Sequence, residues 1–382
     1  MYRDFLGKWS LYPYHNLYND TKCSITGKKL LRGGVHSRKV FTHAYEDIIS
    51  VENLLLAWKE FLKGKRQKQD VQEFQHRLMD NVLELHRELK NKTYGHGEYH
   101  HFRIADPKPR DIHKASVRDR LLHHALYRQL YPFFDKTFIA DSYSCRVGKG
   151  THKAMNRFRA FAYQVSKNHT RTCFVLKCDI KKFFASIDHA VLTKILHSYI
   201  ADLDILRLLS QVVESFSSNN IPTYSSLLVC PKGLPLGNLT SQLLVNVYMN
   251  EFDRFVKHTL KVKHYIRYAD DFVTLSHNKT HLKQTLSYME VFLRERLRLE
   301  LHPDKVYIKT FASGIDFLGW VHFSDHRVLR TSTKRRMFRR TAGLEEESPT
   351  VQSYLGMTAH GNAEKLRREV RKNLRKSDTI LK

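Results

Sequence analysis

Within 382 residues, 65 Lys and Arg stand against 38 Asp and Glu, a formal net charge of +27 with the histidines neutral. That surplus makes a polyanion the first partner to consider, and a 42% apolar content supplies a sizeable core and excludes a disordered chain. No stretch approaches the roughly 18 uninterrupted apolar residues of a membrane-spanning helix. The opening MYRDFLGKWSLYPYHNLYND has no apolar signal core. Five cysteines (Cys23, Cys145, Cys173, Cys178, Cys230), odd in number and without a Cys-x-x-Cys pair, argue against a disulfide framework or a cysteine-only zinc module. The expectation is a soluble, reduced, cytoplasmic protein that binds nucleic acid.

Residues 1–45 are rich in Tyr, His and Gly and read as irregular. From Ile48 to about Lys90, Leu54, Leu55, Trp58 and Leu62, then Phe74, Leu78, Val82, Leu85 and Leu89, recur at helical spacing; GKRQKQD separates two helices. A short strand is expected at Phe102–Ile104 among turn signals, with His96, His100 and His101 in a polar loop facing RNA. Residues 116–140 predict a helix interrupted near Pro132. CFVLKC (Cys173–Cys178) has the length and apolar continuity of a strand buried on both faces. A helix with an acidic cap follows at Asp188–Leu196, then a longer amphipathic one at Thr240–Lys257 entered through PKGLPLGN. HYIRYADDFVTL predicts two strands meeting at Asp270-Asp271. Beyond them come a helix at Gln284–Arg296 and strands at Val306–Thr310 and Asp316–Val321. After His326 the composition turns basic, with TKRRMFRR, an acidic EEES loop and the helical tail AEKLRREVRKNLRK.

The strongest chemical signal is a pair of acidic motifs about 90 residues apart. Asp179 stands where the apolar strand ends, and Asp270-Asp271 sits at a turn between two strands. Carboxylates brought together this way repel one another unless hard cations lie between them. Mg²⁺ suits such a site, because it takes oxygen ligands and leaves positions open for substrate phosphate. Two ions about 4 Å apart would activate a 3′-hydroxyl and stabilise leaving pyrophosphate. Asp-Asp is equally a common turn dipeptide and Asp179 a solvated strand end. The residues by themselves leave that choice open.

YADD with DIKKFF resembles the palm of reverse transcriptases, whose signature is Tyr-x-Asp-Asp with an upstream Asp. DPKPRDI, RDRLLHHAL, DSYSCRVGKGTHKA, GLPLGNLTSQ, LHPDK and DFLGW agree in order with further segments of that family. The resemblance spans roughly residues 46–360. It implies an α+β right-hand polymerase with an antiparallel palm sheet and a short helical thumb. Residues 1–45 would be an N-terminal extension, 46–172 fingers, 173–325 palm and 326–382 thumb. The implied activity is RNA-directed DNA polymerisation.

Reverse transcriptases generally carry Gln-Gly-x-x-x-Ser-Pro where this chain reads Leu236-Gly237-Asn238-Leu239-Thr240-Ser241-Gln242. That variant is similar to the reverse transcriptases of diversity-generating retroelements, as are SVENLLLAWKEFLKGKR and SYLGMTAHGN. Those enzymes copy a template RNA into cDNA with errors opposite adenine and so diversify a target gene, a process of mutagenic retrohoming. Leu236 would remove an amide able to hydrogen-bond near the nascent pair; packing beneath a helix is its plain alternative. By position, the resemblance assigns two Mg²⁺ ions to Asp179, Asp270 and Asp271 with the Ile180 carbonyl. It makes Phe184 the steric gate, with a core pair Phe183-Phe184 as the alternative. Lys108 and Arg110 would hold the triphosphate, beside Leu236, Gly237 and Gln242, and Lys305 would protonate pyrophosphate. As ordinary surface cations, Lys108, Arg110 and Lys305 would need no such role.

Arg118, Arg120 and Arg146 would face template or substrate, with a helix-face salt bridge as the alternative for each. Lys334, Arg335, Arg336, Arg339 and Arg340 would grip an RNA–DNA duplex through its backbone, unless they form only a solvated helix face. The implied partners are template RNA, the RNA–DNA duplex, dNTPs and a basic, oligomeric accessory variability protein. Two alternatives stay open: a related stand-alone reverse transcriptase in anti-phage defence, and a catalytically silent RNA-binding scaffold.

Overall fold

The computed structural model describes residues 39–105, 109–216 and 231–380, with side chains as far as 374. The chain divides after Lys39, and the body considered is Val40–Lys382. Its first part is helical: α1 (Tyr45–Ile49), α2 (Val51–Phe61), α3 (Gln69–His76) and α4 (Leu78–Lys90). The two helices expected over this stretch are thus four. Ser50 ends α1 and caps α2, its hydroxyl accepting from the Asn53 amide at 3.2 Å. At Arg77 the backbone leaves helical geometry (φ −117°, ψ 40°) and parts α3 from α4.

β1 (His100–Ile104) and β2 (Arg110–Lys114) form an antiparallel hairpin with Phe102 opposite Ile112. Only the first strand was readable, since RDIHK is charged and solvent-facing and shows no apolar alternation. α5 (Val117–Asp135) runs through Pro132 without the expected break. Proline removes the bond to the Arg128 carbonyl, but the last turn is held by buried Phe134 and by the Tyr131 hydroxyl on Asp135 at 3.0 Å. α6 (Thr151–Val165) follows.

The central sheet is built from β3 (Phe174–Asp179), then, after α7 (Phe183–Ser186), α8 (His189–His197), α9 (Leu203–Glu214) and α10 (Leu239–Arg254), from β4 (Tyr265–Tyr268) and β5 (Asp271–Ser276). After α11 (Lys279–Leu297), β6 (Tyr307–Thr310) completes it in the antiparallel order β4-β5-β3-β6. Side chains alternate across each strand. Leu176, Cys178 and Phe272 join the larger core with α10 and α11, whereas Val175, Val273 and Leu275 pack with Phe158 and Phe161 of α6. Burial on both faces explains why CFVLKC is apolar apart from Lys177.

The strand expected at Asp316–Val321 is instead a tight hairpin of β7 (Ile315–Phe317) and β8 (Trp320–His322), extended by β9 (Arg327–Leu329). Leu318 and Gly319 both have positive φ (55° and 85°), as a type I′ turn requires. A leucine at the first of those positions hides the turn from sequence. α12 (Thr331–Thr341), α13 (Pro349–Thr358) and α14 (Glu364–Ile380) close the chain around Trp320, Met337, Val351 and Val370. Gly361 lies flat on that core, where an added Cβ would meet the Trp320 ring at 2.0 Å. Helices and antiparallel sheets are mixed as expected. Among the described residues no helix is long and apolar enough to cross a membrane.

His322 is buried between Phe158 and Phe317, with Nε2 on the Phe317 carbonyl at 3.2 Å. Burial lowers its pKa to about 4. In the unfolded chain the imidazole takes a proton near pH 6.5, so between 6.5 and about 4 the unfolded state binds more protons and stability falls with pH. Urea titrations of the wild type and His322→Leu across that window should show the wild type losing ground by about 1.4 kcal/mol per pH unit. A pH-independent difference would contradict the neutral buried imidazole.

Candidate active site

The register of the central sheet brings the acidic motifs together. Asp179, last in β3, pairs directly with Asp271, first in β5, and Tyr268 of β4 pairs with Asp271 from the other side. Asp179 and Asp271 therefore project from the same face as Lys177. Two lysines meet them: Lys305 Nζ lies 2.7 Å from Asp179 Oδ1, and Lys177 Nζ lies 3.2 Å from Asp271 Oδ2. Even so, burial raises the pKa of Asp271 to about 7, against the pull of Lys177 and with the push of Asp179 and Asp270. Asp270 is raised too, by burial and then by Asp179, while Lys305 and Arg110 act to lower it. Asp271 Oδ1 is buried without a hydrogen-bond partner.

No three ligating side chains are gathered round one point among the described residues. Asp179 and Asp271 each turn to a lysine instead. The donor chemistry nonetheless fits a hard divalent cation: the side-chain donors are all carboxylate oxygens, one of them buried and unpartnered.

The turn that carries Asp270 needs holding. Ala269 has φ 56°, a conformation that L side chains rarely adopt. Arg267, fully buried, donates from Nη1 to the Ala269 carbonyl at 3.1 Å, and the Ile180 amide donates to the Asp270 carbonyl at 3.2 Å. The Arg267 guanidinium is itself fixed by Asp253 of α10, with Nη2 to Oδ2 at 2.7 Å and Nε to Oδ1 at 2.8 Å. Asn246 and Ser142 take its remaining donors at 3.2 Å each. Its backbone pairs with the Asp141 carbonyl and the Tyr143 amide, both at 3.0 Å. Tyr268 meets Thr151 at the start of α6 through hydroxyls 3.1 Å apart. DSYSCRVGKGTHKA and YADD, distant in sequence, thus share one network.

Opposite the carboxylates stands the β1–β2 hairpin. Arg110 opens β2 and is close enough to Asp270 to act on its charge; Lys108 lies outside the described residues. The His113 amide donates to the Leu236 carbonyl at 3.3 Å, and a Cβ on Gly237 (φ 112°) would lie 3.3 Å from Ile112. Leu236 and Gly237 therefore sit beneath the hairpin that carries Arg110. Gln242 lies one turn into α10, its carbonyl accepting from Asn246 at 3.2 Å. Of the pair Phe183-Phe184, Phe183 is the buried ring and Phe184 is half-exposed, its carbonyl accepting from the Leu234 amide at 2.8 Å.

Other expected site residues are placed differently. Arg118 is engaged by Glu88 and, at 3.2 Å, by Asp119, which is the salt-bridge alternative. Arg120 likewise meets Asp70 at 2.6 Å. Arg146 is buried against Asp135 at 2.7 Å and caps the Ile139 and Ser142 carbonyls. These contacts tie loops to helices within the fold. The imidazole of His96 is buried against His123 at 3.2 Å, so it does not belong to a polar loop facing RNA, whereas His100 and His101 are exposed. On α12 the buried residues are Thr333, Met337 and Thr341; Lys334 reaches Glu369 at 3.5 Å, Arg335, Arg339 and Arg340 are exposed, and Arg336 is half-buried.

Two residues escaped the sequence reading. Lys177 was visible only as the one charge inside an apolar run. Asn238, buried at the start of α10 with both amide atoms unpartnered, gave no signal in sequence.

Residues 105–322 match the family of reverse transcriptases, RNA-dependent DNA polymerases. The match covers more than half of the chain, which belongs to that family and is by class an RNA-directed DNA polymerase with the right-hand polymerase fold. Protein YkfC of Escherichia coli K12 is 24% identical over 273 residues, 63% of this chain and 68% of YkfC. The group II intron-encoded protein LtrA of Lactococcus lactis is 21% identical over 322 residues, 67% of this chain and 51% of LtrA. The chain thus spans about half the length of that intron-encoded relative. An apo telomerase from Candida tropicalis shows a loose likeness, with 12% identity, 66% of this chain, 51% of its own and a TM-score of 0.46.

Replacing Arg267 by Met would leave the Asp253 carboxylate buried and unpaired, which should lower the unfolding free energy by about 3–5 kcal/mol. Urea denaturation measures it. A loss under about 1 kcal/mol would show that the pair does not hold the turn.

Proposed function

We propose that the chain copies a template RNA into error-prone cDNA for diversification of a target gene, as the reverse transcriptase of a diversity-generating retroelement. The observation that carries this reading is Leu236. Its carbonyl is tied to His113 beneath the hairpin of Arg110, and this loop position carries an aliphatic residue where the family generally has glutamine. A hydrogen bond to the nascent pair, which a glutamine amide could supply, is missing there, and mispairs are penalised less.

The rest of the mechanism follows from the same arrangement. Asp179, Asp270 and Asp271, with the Ile180 carbonyl, would hold two Mg²⁺ ions, which would supply Lewis-acid activation of a 3′-hydroxyl and of pyrophosphate. Lys108 and Arg110 hold the triphosphate, the guanidinium by paired hydrogen bonds. Half-exposed Phe184 places a ring where a ribose 2′-hydroxyl would enter, and Gly237 and Gln242 line the adjoining loop and helix. Lys305, already on Asp179, would give a proton to departing pyrophosphate.

In this reading residues 46–172 act as fingers, 173–325 as palm and 326–382 as a thumb whose Lys334, Arg335, Arg336, Arg339 and Arg340 track the duplex backbone. Arg118 and Arg146, engaged by Glu88 and Asp135, would brace the region of residues 46–172 rather than touch phosphate. The partners are template RNA, dNTPs and a basic, oligomeric accessory variability protein, and the reaction takes place in the cytoplasm.

Primer extension on a defined RNA template, with products sequenced, tests the reading. Errors should concentrate opposite adenine, and Leu236→Gln should reduce them about fivefold, the worth of one hydrogen bond near 1 kcal/mol. Accurate synthesis by the wild type, or an unchanged error spectrum in Leu236→Gln, would overturn it.

A further inference from the structure

A concentration of positive charge lies at the end of the central sheet away from the carboxylates. β5 runs from Asp271 to Ser276, so its outer end is about 17 Å from the catalytic turn. A cleft of about 860 Å³ opens there, walled by α6, the outer end of β5, the start of α11 and the segment between α10 and β4. Arg157, Arg171, Lys257, Lys261 and Lys263 line it, and among the described lining residues Asp141 is the only acid. That acid is already engaged, by Arg157 Nε at 2.9 Å and the Tyr143 hydroxyl at 3.2 Å. The cleft is therefore strongly positive, and concave low-dielectric walls focus such a field.

The chain makes this wall with irregular backbone. Phe255–Thr259 is π-helical and Lys261 has φ 54°. Widened helical turns and left-handed residues cluster where function maintains them. Lys257 is half-buried, its ammonium on the Lys263 carbonyl at 2.8 Å. The neighbouring His264 has its pKa lowered by burial and then by Lys263, Lys257 and Arg157.

The lining also says what kind of polyanion fits. Its apolar residues, Phe161, Val165, Val262 and Leu275, are all buried floor, so a protein partner finds no exposed anchor to fill. A phosphate backbone needs no such anchor, only cations spaced along a groove. We propose that this cleft holds a single-stranded segment of RNA by its phosphates, outside the catalytic site. That the strand is RNA rests on the reading of the protein as an RNA-copying polymerase.

The test uses the full chain carrying Lys261→Glu and Lys263→Glu, both at exposed positions remote from the carboxylates. Binding of poly(U) RNA is titrated across a salt series, beside extension of a short RNA–DNA primer–template too small to reach the cleft. Poly(U) affinity should fall about tenfold, with the salt slope reduced by about 1.4 for two lost phosphate contacts. Extension of the short substrate should be unchanged. The milder Lys261→Gln, Lys263→Gln pair should show an intermediate loss, which separates charge from misfolding. Unchanged poly(U) affinity and slope would overturn the proposal, as would an equal loss on the short substrate. Displacement of poly(U) by inorganic phosphate at equal phosphate concentration would also overturn it, by assigning the cleft to a free anion. Wild-type extension is scored separately. Its failure with the poly(U) difference intact would sink the polymerase reading and leave the cleft standing.

Discussion

Mutual repulsion among Asp179, Asp270 and Asp271 is the constraint that the surrounding structure answers. Adjacent antiparallel strands set two of them side by side, and the turn between strands adds the third. Like charges this close raise one another's pKa, and burial adds to the effect for Asp270 and Asp271. The chain supplies two partial answers of its own, Lys305 on Asp179 and Lys177 on Asp271. What stays unanswered is a buried carboxylate oxygen, whose chemistry would suit a hard cation.

Holding such a cluster in place needs rigidity elsewhere. Arg267 and Asp253 form a fully buried ion pair whose spare donors reach the Ala269 carbonyl, Asn246 and Ser142. A buried pair contributes little net stability compared with well-packed apolar residues, but removing one partner is severe. Its value here is positional. It locks α10, the loop after α5 and the Ala269–Asp270 turn to one another. α10 begins directly after Leu236-Gly237, so the same helix that anchors Arg267 also fixes the loop beneath the β1–β2 hairpin.

Much of this was legible in the amino-acid sequence. CFVLKC marked a strand buried on both faces, and YADD between two apolar runs marked a strand–turn–strand, because sheet burial writes itself directly into residue pattern. α10 was visible through its amphipathic spacing and its entry turn. The charged strand β2, buried on neither side, carried no such pattern. The β7–β8 turn was hidden because Leu318, not glycine or asparagine, adopts its first left-handed position. Contacts over long separations were hidden altogether: Arg267 with Asp253 and Ser142, or Lys305 with Asp179, exist only once the sheet register is set. Arg118 and Arg146 show the reverse difficulty, since a guanidinium in sequence does not reveal whether it faces phosphate or an internal carboxylate.

The central proposal is that Asp179, Asp270 and Asp271 carry the chemistry while the rest of the fold restrains them. The most direct measurement is primer extension by Asp270→Asn protein, read together with its unfolding midpoint in urea and its affinity for RNA. The account predicts no cDNA, RNA affinity little changed and a fold at least as stable as the parent, because a half-buried charge repelled by Asp179 has been removed. Persisting cDNA synthesis, or a loss of activity that merely follows a loss of stability, would contradict it.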